Sequence, residues 1–124
     1  MEIKLDLTKD GLSMAFNEPE IILLEHLWDV PDTIPVSIVE ASSRELTDVV
    51  NSNMSPPPGR PSPDRRSSVI NAANRFVGLG IWDYRETTGK GGYRKIYRAV
   101  MKEYTFWKTV RNLVVEKITV ATEQ

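Results

Sequence analysis

The 124-residue chain has no cysteine and only one histidine, His26. Without cysteine there is no disulfide bond, no thiolate metal ligand and no cysteine nucleophile. A single histidine among apolar neighbours lacks the partners that a histidine metal site or a catalytic triad needs, so we assign it no chemistry. Paired carboxylates in a readable motif and a phosphate-loop spacing are also missing. We therefore expect no metal, no cofactor and no enzymatic activity.

Long apolar runs are missing too. No stretch approaches the roughly 20 apolar residues that span a bilayer. Residues 1–6 alternate charged and apolar side chains, which does not build the apolar block of a signal peptide. We expect a cytoplasmic protein without a membrane partner, and the length favours one domain with a core of its own.

The net charge is only −1, but the charge is unevenly distributed along the chain. Residues 1–59 carry three basic and eleven acidic side chains, whereas residues 60–98 carry nine basic and three acidic ones. Phosphates respond to the local field rather than to net charge, so the middle block predicts a surface that faces nucleic acid. An ordinary solvated surface would leave the same pattern.

The basic block begins with a predicted helix over residues 63–78. Ser62 is a suitable N-cap, and Pro63 fits the first helical position, where its missing N–H costs nothing. Apolar residues recur at helical spacing from Val69 to Val77, and a polar face with serines, asparagines and Arg75 lies opposite. Gly78 and Gly80 are typical of a left-handed exit from the helix.

Two predicted strands follow, over residues 81–85 and 93–98. A glycine-rich basic tip over residues 86–92 joins them. A helix, a glycine exit and a basic β-ribbon within 81–99, in that order, are the second half of a winged helix.

The first half of the chain shows clear start signals for two more helices. Asn17 with Glu20 and Ser42 with Glu45 each have the spacing of a capping box, which predicts helices over 17–29 and 43–52. Between the two helices, Thr33 to Val39 is β-branched and apolar around Pro35, which favours a short edge strand.

Three further segments complete the organisation. Alternating apolar residues around Lys9-Asp10-Gly11 predict an N-terminal β-hairpin extension over 1–16. Residues 53–62 form a proline-rich loop, either a tolerated insertion or a segment that brings Arg60 to a phosphate or a partner. A helix over 102–122, within a C-terminal unit 100–124, has one apolar face that suits dimerisation. We expect a homodimer, and the sequence leaves open whether this helix or the N-terminal hairpin forms its interface.

Together these elements predict an α+β fold, a winged helix-turn-helix domain over 17–99 with an N-terminal β-hairpin and a C-terminal dimerisation helix. Four segments carry a more particular likeness: 67–73, 78–82, 90–97 and 106–112. They resemble the MarR-like regulators of the glycine-betaine and choline-uptake branch, and the similarity covers residues 67–117. Residues 20–28 also resemble, more weakly, the penicillinase-repressor type. The resemblance implies a dimeric transcriptional regulator that binds double-stranded DNA.

In a winged helix, the first turns of the recognition helix enter the major groove, and the wing meets the backbone or the minor groove. Arginine pairs with guanine and asparagine with adenine, whereas serines suit phosphates or bridging waters. Arg66 leans toward the apolar stripe, and its alternative place is the edge of the core. Alternation along the strand puts Arg94 and Lys95 on opposite faces, so one DNA pose does not use both. The candidate DNA-binding residues are Arg65, Arg66, Ser67, Ser68, Asn71, Arg75, Arg85, Lys90, Arg94 and Lys95.

An alternative from another functional class is a winged helix that serves as a protein-interaction module within a larger assembly. The acidic first half and the proline-rich loop favour this alternative. A small-molecule effector, if there is one, is not identified by the sequence.

Overall fold

The computed structural model describes residues 3–54, 64–89 and 92–123. Over these residues the chain is α+β, with four α-helices and one three-stranded antiparallel sheet in the order β1-β3-β2. This arrangement is compatible with a winged-helix-like fold. No helix in this described part combines the length and the apolar character needed to cross a bilayer. The elements are α1 (Glu18–Trp28), β1 (Glu40–Ser42), α2 (Ser43–Asn53), α3 (Arg66–Gly78), β2 (Trp82–Gly89), β3 (Gly92–Ala99) and α4 (Glu103–Glu123).

Two capping boxes start α1 and α2 as predicted. The Asn17 side chain accepts a hydrogen bond from the Glu20 backbone N–H at 3.0 Å, and the Glu20 carboxylate accepts one from the Asn17 N–H at 2.9 Å. Ser42 and Glu45 make the same reciprocal pair at the start of α2. Each box satisfies two N–H groups that the helix itself leaves unpaired, which explains why the local sequence predicts these starts.

The predicted start of α3 at Pro63 is wrong, because the helix begins at Arg66. The Asp64 carboxylate accepts a hydrogen bond from the Arg66 N–H at 3.0 Å, and this local bond takes the part expected of Ser62. Short acidic side chains compete well for such backbone donors. Ser62, Pro63 and most of the proline-rich loop, residues 55–62, lie outside the described residues.

The predicted glycine exit of α3 is confirmed at Gly80, whereas Gly78 is the last residue of the helix and has no positive φ. Gly80 has φ +78°, and its N–H donates to Val77 O at 3.0 Å. The Ile81 N–H donates to Phe76 O at 3.0 Å, which completes a Schellman motif. The exit turns the chain directly from α3 into β2, so the helix and the ribbon are adjacent.

The predicted N-terminal β-hairpin is wrong. Residues 3–16 contain no strand, and a short 3₁₀ helix, Gly11–Met14, follows the Lys9-Asp10-Gly11 turn. The Asp6 carboxylate bonds to the Thr8 N–H and hydroxyl, which closes a local turn early. Leu12 and Phe16 are both buried, and they are four residues apart. Burial in this segment therefore has the spacing of a helix and not the period of two that a strand requires.

The strand predicted over 33–39 lies further along the chain, at Glu40–Ser42 in β1. Pro35 accepts a hydrogen bond from Ile38 and begins a 3₁₀ turn, Val36–Ile38, because its fixed φ suits a turn.

Strands β2 and β3 are longer than predicted: residues 86–89 of the expected tip pair in register with residues 92–95. Strand pairing therefore extends as far as Gly89 and Gly92, and residues 90 and 91 of the expected tip lie outside the described residues.

The core consists of aromatic and aliphatic side chains between the inner face of the sheet and the helices. Phe76 of α3 contacts Phe16 and Trp82, with ring centroids 5.6 and 4.7 Å apart. Phe106 of α4 contacts Phe16 and Trp28, and the Trp28 indole N–H donates to Met101 O at 2.8 Å. These contacts hold the first turns of α4 on the domain, in the part of the helix where Phe106 and Val110 are buried.

Candidate nucleic-acid interface

The exposed face of α3 is the one that the sequence predicts. Ser67, Ser68, Asn71, Asn74 and Arg75 are all exposed, and the buried residues of the helix lie on the opposite face. Helical spacing orders the polar face into three rows: Ser67 with Asn71 in the middle, Arg66 with Ile70 on one flank, and Ser68 with Arg75 on the other.

A groove of about 460 Å³ opens beside this face, between the start of α2, the α3 flank that carries Arg66, and strand β3. We call it the basic groove. It brings together three of the predicted DNA-binding residues, Arg66, Arg94 and Lys95, with a fourth cation, Arg44. Its lining residues are Ser42, Ser43, Arg44, Arg66, Ile70, Asn74, Arg94, Lys95 and Tyr97.

The cations of the basic groove are not neutralised. Within the described residues, Arg44, Arg66 and Arg94 form no ion pair, and the lining contains no carboxylate. The Lys95 ammonium lies 4.5 Å from the centre of the Tyr84 ring, a cation–π contact that leaves its charge in place. Glu45, in the first turn of α2, keeps its negative charge in the capping box but forms no ion pair with these cations among the described residues. The groove therefore has a concentrated positive field.

Two predictions about these residues need correction. Arg66 is exposed and does not lie at the edge of the core. Alternation does put Arg94 and Lys95 on opposite faces of β3, yet both line the same groove. The reason is that β1 pairs only with residues 96–98, so the groove opens around the unpaired edge of β3 beyond Ser42.

Arg75 is held away from the basic groove by the buried Glu20. Its guanidinium Nη1 lies 2.7 Å from Glu20 Oε2, and Nη2 donates to Ala15 O at 3.2 Å. The side chain also lies over the Phe16 ring, 5.1 Å from its centre. Arg75 thus connects α3 to α1 and to the N-terminal segment.

Arg85 is also engaged, on the outer face of the sheet, where it pairs with Glu40 at 2.8 Å. Arg98 pairs with Asp83 on the same face at 2.6 Å, and this hydrogen bond raises the pKa of Arg98 above its usual range. These two cations of the outer face are therefore compensated, whereas Arg94, which alternation places on the same face of β3 as Arg98, forms no ion pair within the described residues.

The remaining predicted residues are dispersed. Arg65 donates to the neutral side chain of Asn51 at 3.2 Å, so its charge is not compensated there. Lys90 lies outside the described residues. Sequence reasoning missed Arg44 and Ser43, although the Ser42 capping box marks the start of α2. The pairing of β1 with β3, which ends at Ser42 and Ile96, brings that helix start beside the ribbon.

Tyr97 forms the inner wall of the basic groove and is only 2% exposed. Burial raises the pKa of its phenol above the usual range, and neighbouring Tyr84 adds to the shift. The fold favours the neutral phenol, so the pKa of Tyr97 is higher in the folded protein than in the unfolded chain. The stabilisation that this difference gives is complete below the unfolded-state pKa of about 10, and it is lost as the pH rises through the folded-state pKa.

We expect ultraviolet titration to show a late ionisation phase that Tyr97→Phe removes. Tyr104→Phe is the control, because Tyr104 is 78% exposed and should contribute only to the normal phase. The urea midpoint of the parent should also fall more steeply above about pH 10 than that of Tyr97→Phe. Identical titration curves for the parent and Tyr97→Phe would contradict this assignment.

A second groove, of about 470 Å³, lies between α1, the end of α2 and the start of α4. We call it the acidic groove, because Glu25, Asp29 and Glu103 line it together with His26. Val49 and Asn53 show that it lies at the opposite end of α2 from the basic groove.

Comparisons of the chain with protein-family models, with curated proteins and with solved structures find no match. The MarR-like subfamily and its glycine-betaine and choline-uptake branch therefore stay predictions.

Proposed function

We propose that this chain is a winged-helix transcriptional regulator that binds duplex DNA, with α3 in the major groove and the β2–β3 ribbon on the backbone and the minor groove. The observation that carries the proposal is the basic groove. Its four cations lie beside the exposed polar face of α3, and among the described residues no carboxylate lines it.

The middle row of α3 suits base recognition. Ser67 and Asn71 are exposed, and an asparagine amide offers the donor and the acceptor that adenine presents in the major groove. Each such bidentate contact is worth about 1–3 kcal/mol of discrimination against the wrong base. Asn71 is accordingly the residue that we propose reads sequence.

The basic groove suits one phosphate strand that passes between α3 and the ribbon. Arg44, Arg66, Arg94 and Lys95 supply the charge, and phosphate contacts fix register rather than sequence. Arg85 is not part of this surface, because Glu40 already holds it.

The proposal includes a homodimer formed through α4. Tyr104 and Val114 of this helix are 78% and 39% exposed. Exposed apolar side chains on a 21-residue helix, whose described buried residues are Phe106 and Val110, favour a symmetric partner. A dimer would present two copies of α3 to two half-sites.

Binding to a random-sequence duplex should be strongly salt-dependent. Neutralising about four phosphates per subunit gives a slope of log affinity against log salt near −3.6. Fluorescence anisotropy of a labelled 25-base-pair duplex, titrated at several salt concentrations, measures the slope. A duplex of this length spans about two helical turns, which is enough for two half-sites.

A protein that does not bind the duplex at low salt would overturn the proposal. A labelled poly-glutamate of equal charge is the control, because a surface that fits phosphates should prefer the duplex over an arbitrary polyanion. Equal affinity for the duplex and for poly-glutamate would mean that the surface binds anions in general and is not specific for DNA.

The second candidate is a protein-interaction module within a larger assembly. The acidic groove favours it, because three carboxylates beside the half-buried Trp28 suit a basic partner segment. Affinity capture after nuclease treatment separates the two candidates. Partners that survive nuclease and are lost when Glu25 and Asp29 are both replaced by their amides would support this module.

A further inference from the structure

Glu20 makes two hydrogen bonds that link different elements. The residue is 7% exposed, and its Oε1 accepts the Asn17 N–H that closes the capping box of α1. Its Oε2 accepts the guanidinium of Arg75 from α3 at 2.7 Å. One buried carboxylate therefore starts α1 and fixes the position of α3 against it.

Arg75 completes this contact on the other side. Its second nitrogen donates to Ala15 O at 3.2 Å, and its guanidinium lies over Phe16, which itself packs edge-on against Phe76 of α3. We call these contacts the Arg75 clamp: they connect Glu20, Ala15 and Phe16 to α3.

The clamp lies at the edge of the surface that we propose for DNA. A groove of about 330 Å³ brings Glu20 and Arg75 together with Ser68 and Asn71, which belong to the exposed face of α3. A carboxylate at this place would repel a passing phosphate unless a cation neutralised it. Arg75 supplies that cation at ion-pair distance.

We propose that Arg75 is a positioning residue for DNA binding: it neutralises Glu20 and holds the exposed face of α3, and it does not itself bind a phosphate. This inference rests on the proposed function. It separates Arg75 from Arg66 and Arg94, which have the same charge but no such carboxylate partner in the part of the chain that the structure describes.

The salt slope distinguishes a positioning role of Arg75 from direct contact of Arg75 with a phosphate. Arg75→Ala should weaken duplex binding about tenfold, because Glu20 is left unpaired beside the DNA, and the salt slope should stay unchanged. Adding Glu20→Gln to the same chain should recover most of the affinity, since glutamine keeps the capping box but carries no charge. A direct phosphate contact predicts instead a slope shallower by about 0.9 and no recovery.

A stability cycle without DNA tests the clamp separately. Arg75→Ala should lower the melting temperature by about 5–10 °C, and the loss in the Glu20→Gln, Arg75→Ala chain should be clearly less than the sum of the two single losses. Strict additivity would overturn the clamp. Failure of the unaltered protein to bind duplex would overturn the proposed function and the DNA role of Arg75. The non-additivity of the two losses in melting temperature would still decide whether the clamp exists.

Discussion

Replacing Arg66 and Arg94 together by alanine should weaken binding to a random-sequence duplex by about 100-fold at low salt and make the salt slope shallower by about 1.8. Both guanidinium groups line the basic groove, and within the described residues neither forms an ion pair. Each would thus release about one counterion equivalent from the phosphates that it meets. Anisotropy at four or more salt concentrations measures both quantities.

The matched control is the double replacement Arg85→Ala, Arg98→Ala. It removes the same formal charge, but from two ribbon residues that Glu40 and Asp83 already compensate. The slope should stay within experimental error of the parent. Equal loss of slope in both double variants would show that net charge, and not the basic groove, determines binding.

Phe76→Ala should destabilise the protein by about 3–5 kcal/mol. The side chain is fully buried and contacts the rings of Phe16 and Trp82, so its removal leaves a cavity between the N-terminal segment, α3 and β2. A typical domain has only about 5–15 kcal/mol of stability, so the variant approaches the unfolding threshold. Urea unfolding followed by tryptophan fluorescence measures the change.

Leu7→Ala is the control for removal of a large apolar side chain from an exposed position. Leu7 is 83% exposed, and its removal should change the free energy of unfolding by less than about 0.5 kcal/mol. A loss below about 1 kcal/mol for Phe76→Ala would mean that the aromatic cluster does not carry the core.

Local signals predict the parts of the fold that short-range hydrogen bonds determine. The capping boxes at Asn17 and Ser42 and the glycine exit at Gly80 are such cases, because each needs only residues within a few positions. The N-terminal segment fails for the converse reason. Alternation around Asp10-Gly11 fits a hairpin, but packing of Leu12 and Phe16 on the core determines the backbone there.

The candidate site divides in the same way. Sequence identifies Arg66, Arg94 and Lys95 as cations of a helix and a wing, because local pattern places those elements. It does not show that Glu20, 55 residues earlier, occupies Arg75, nor that Glu40 occupies Arg85. Which cations keep their charge available depends on contacts between distant segments.

The two grooves at opposite ends of α2 make the molecule electrically polar despite its net charge of −1. The helix between them is 11 residues long, about 16 Å, so the two patches are further apart than the screening length of about 8 Å at physiological ionic strength. The electric field of a polyanion would exert a torque on the protein and rotate it so that the basic groove faces the polyanion before the two make contact. Electrostatic orientation of this kind raises association rates and fades as salt is added, so the encounter with DNA would be oriented as well as attractive.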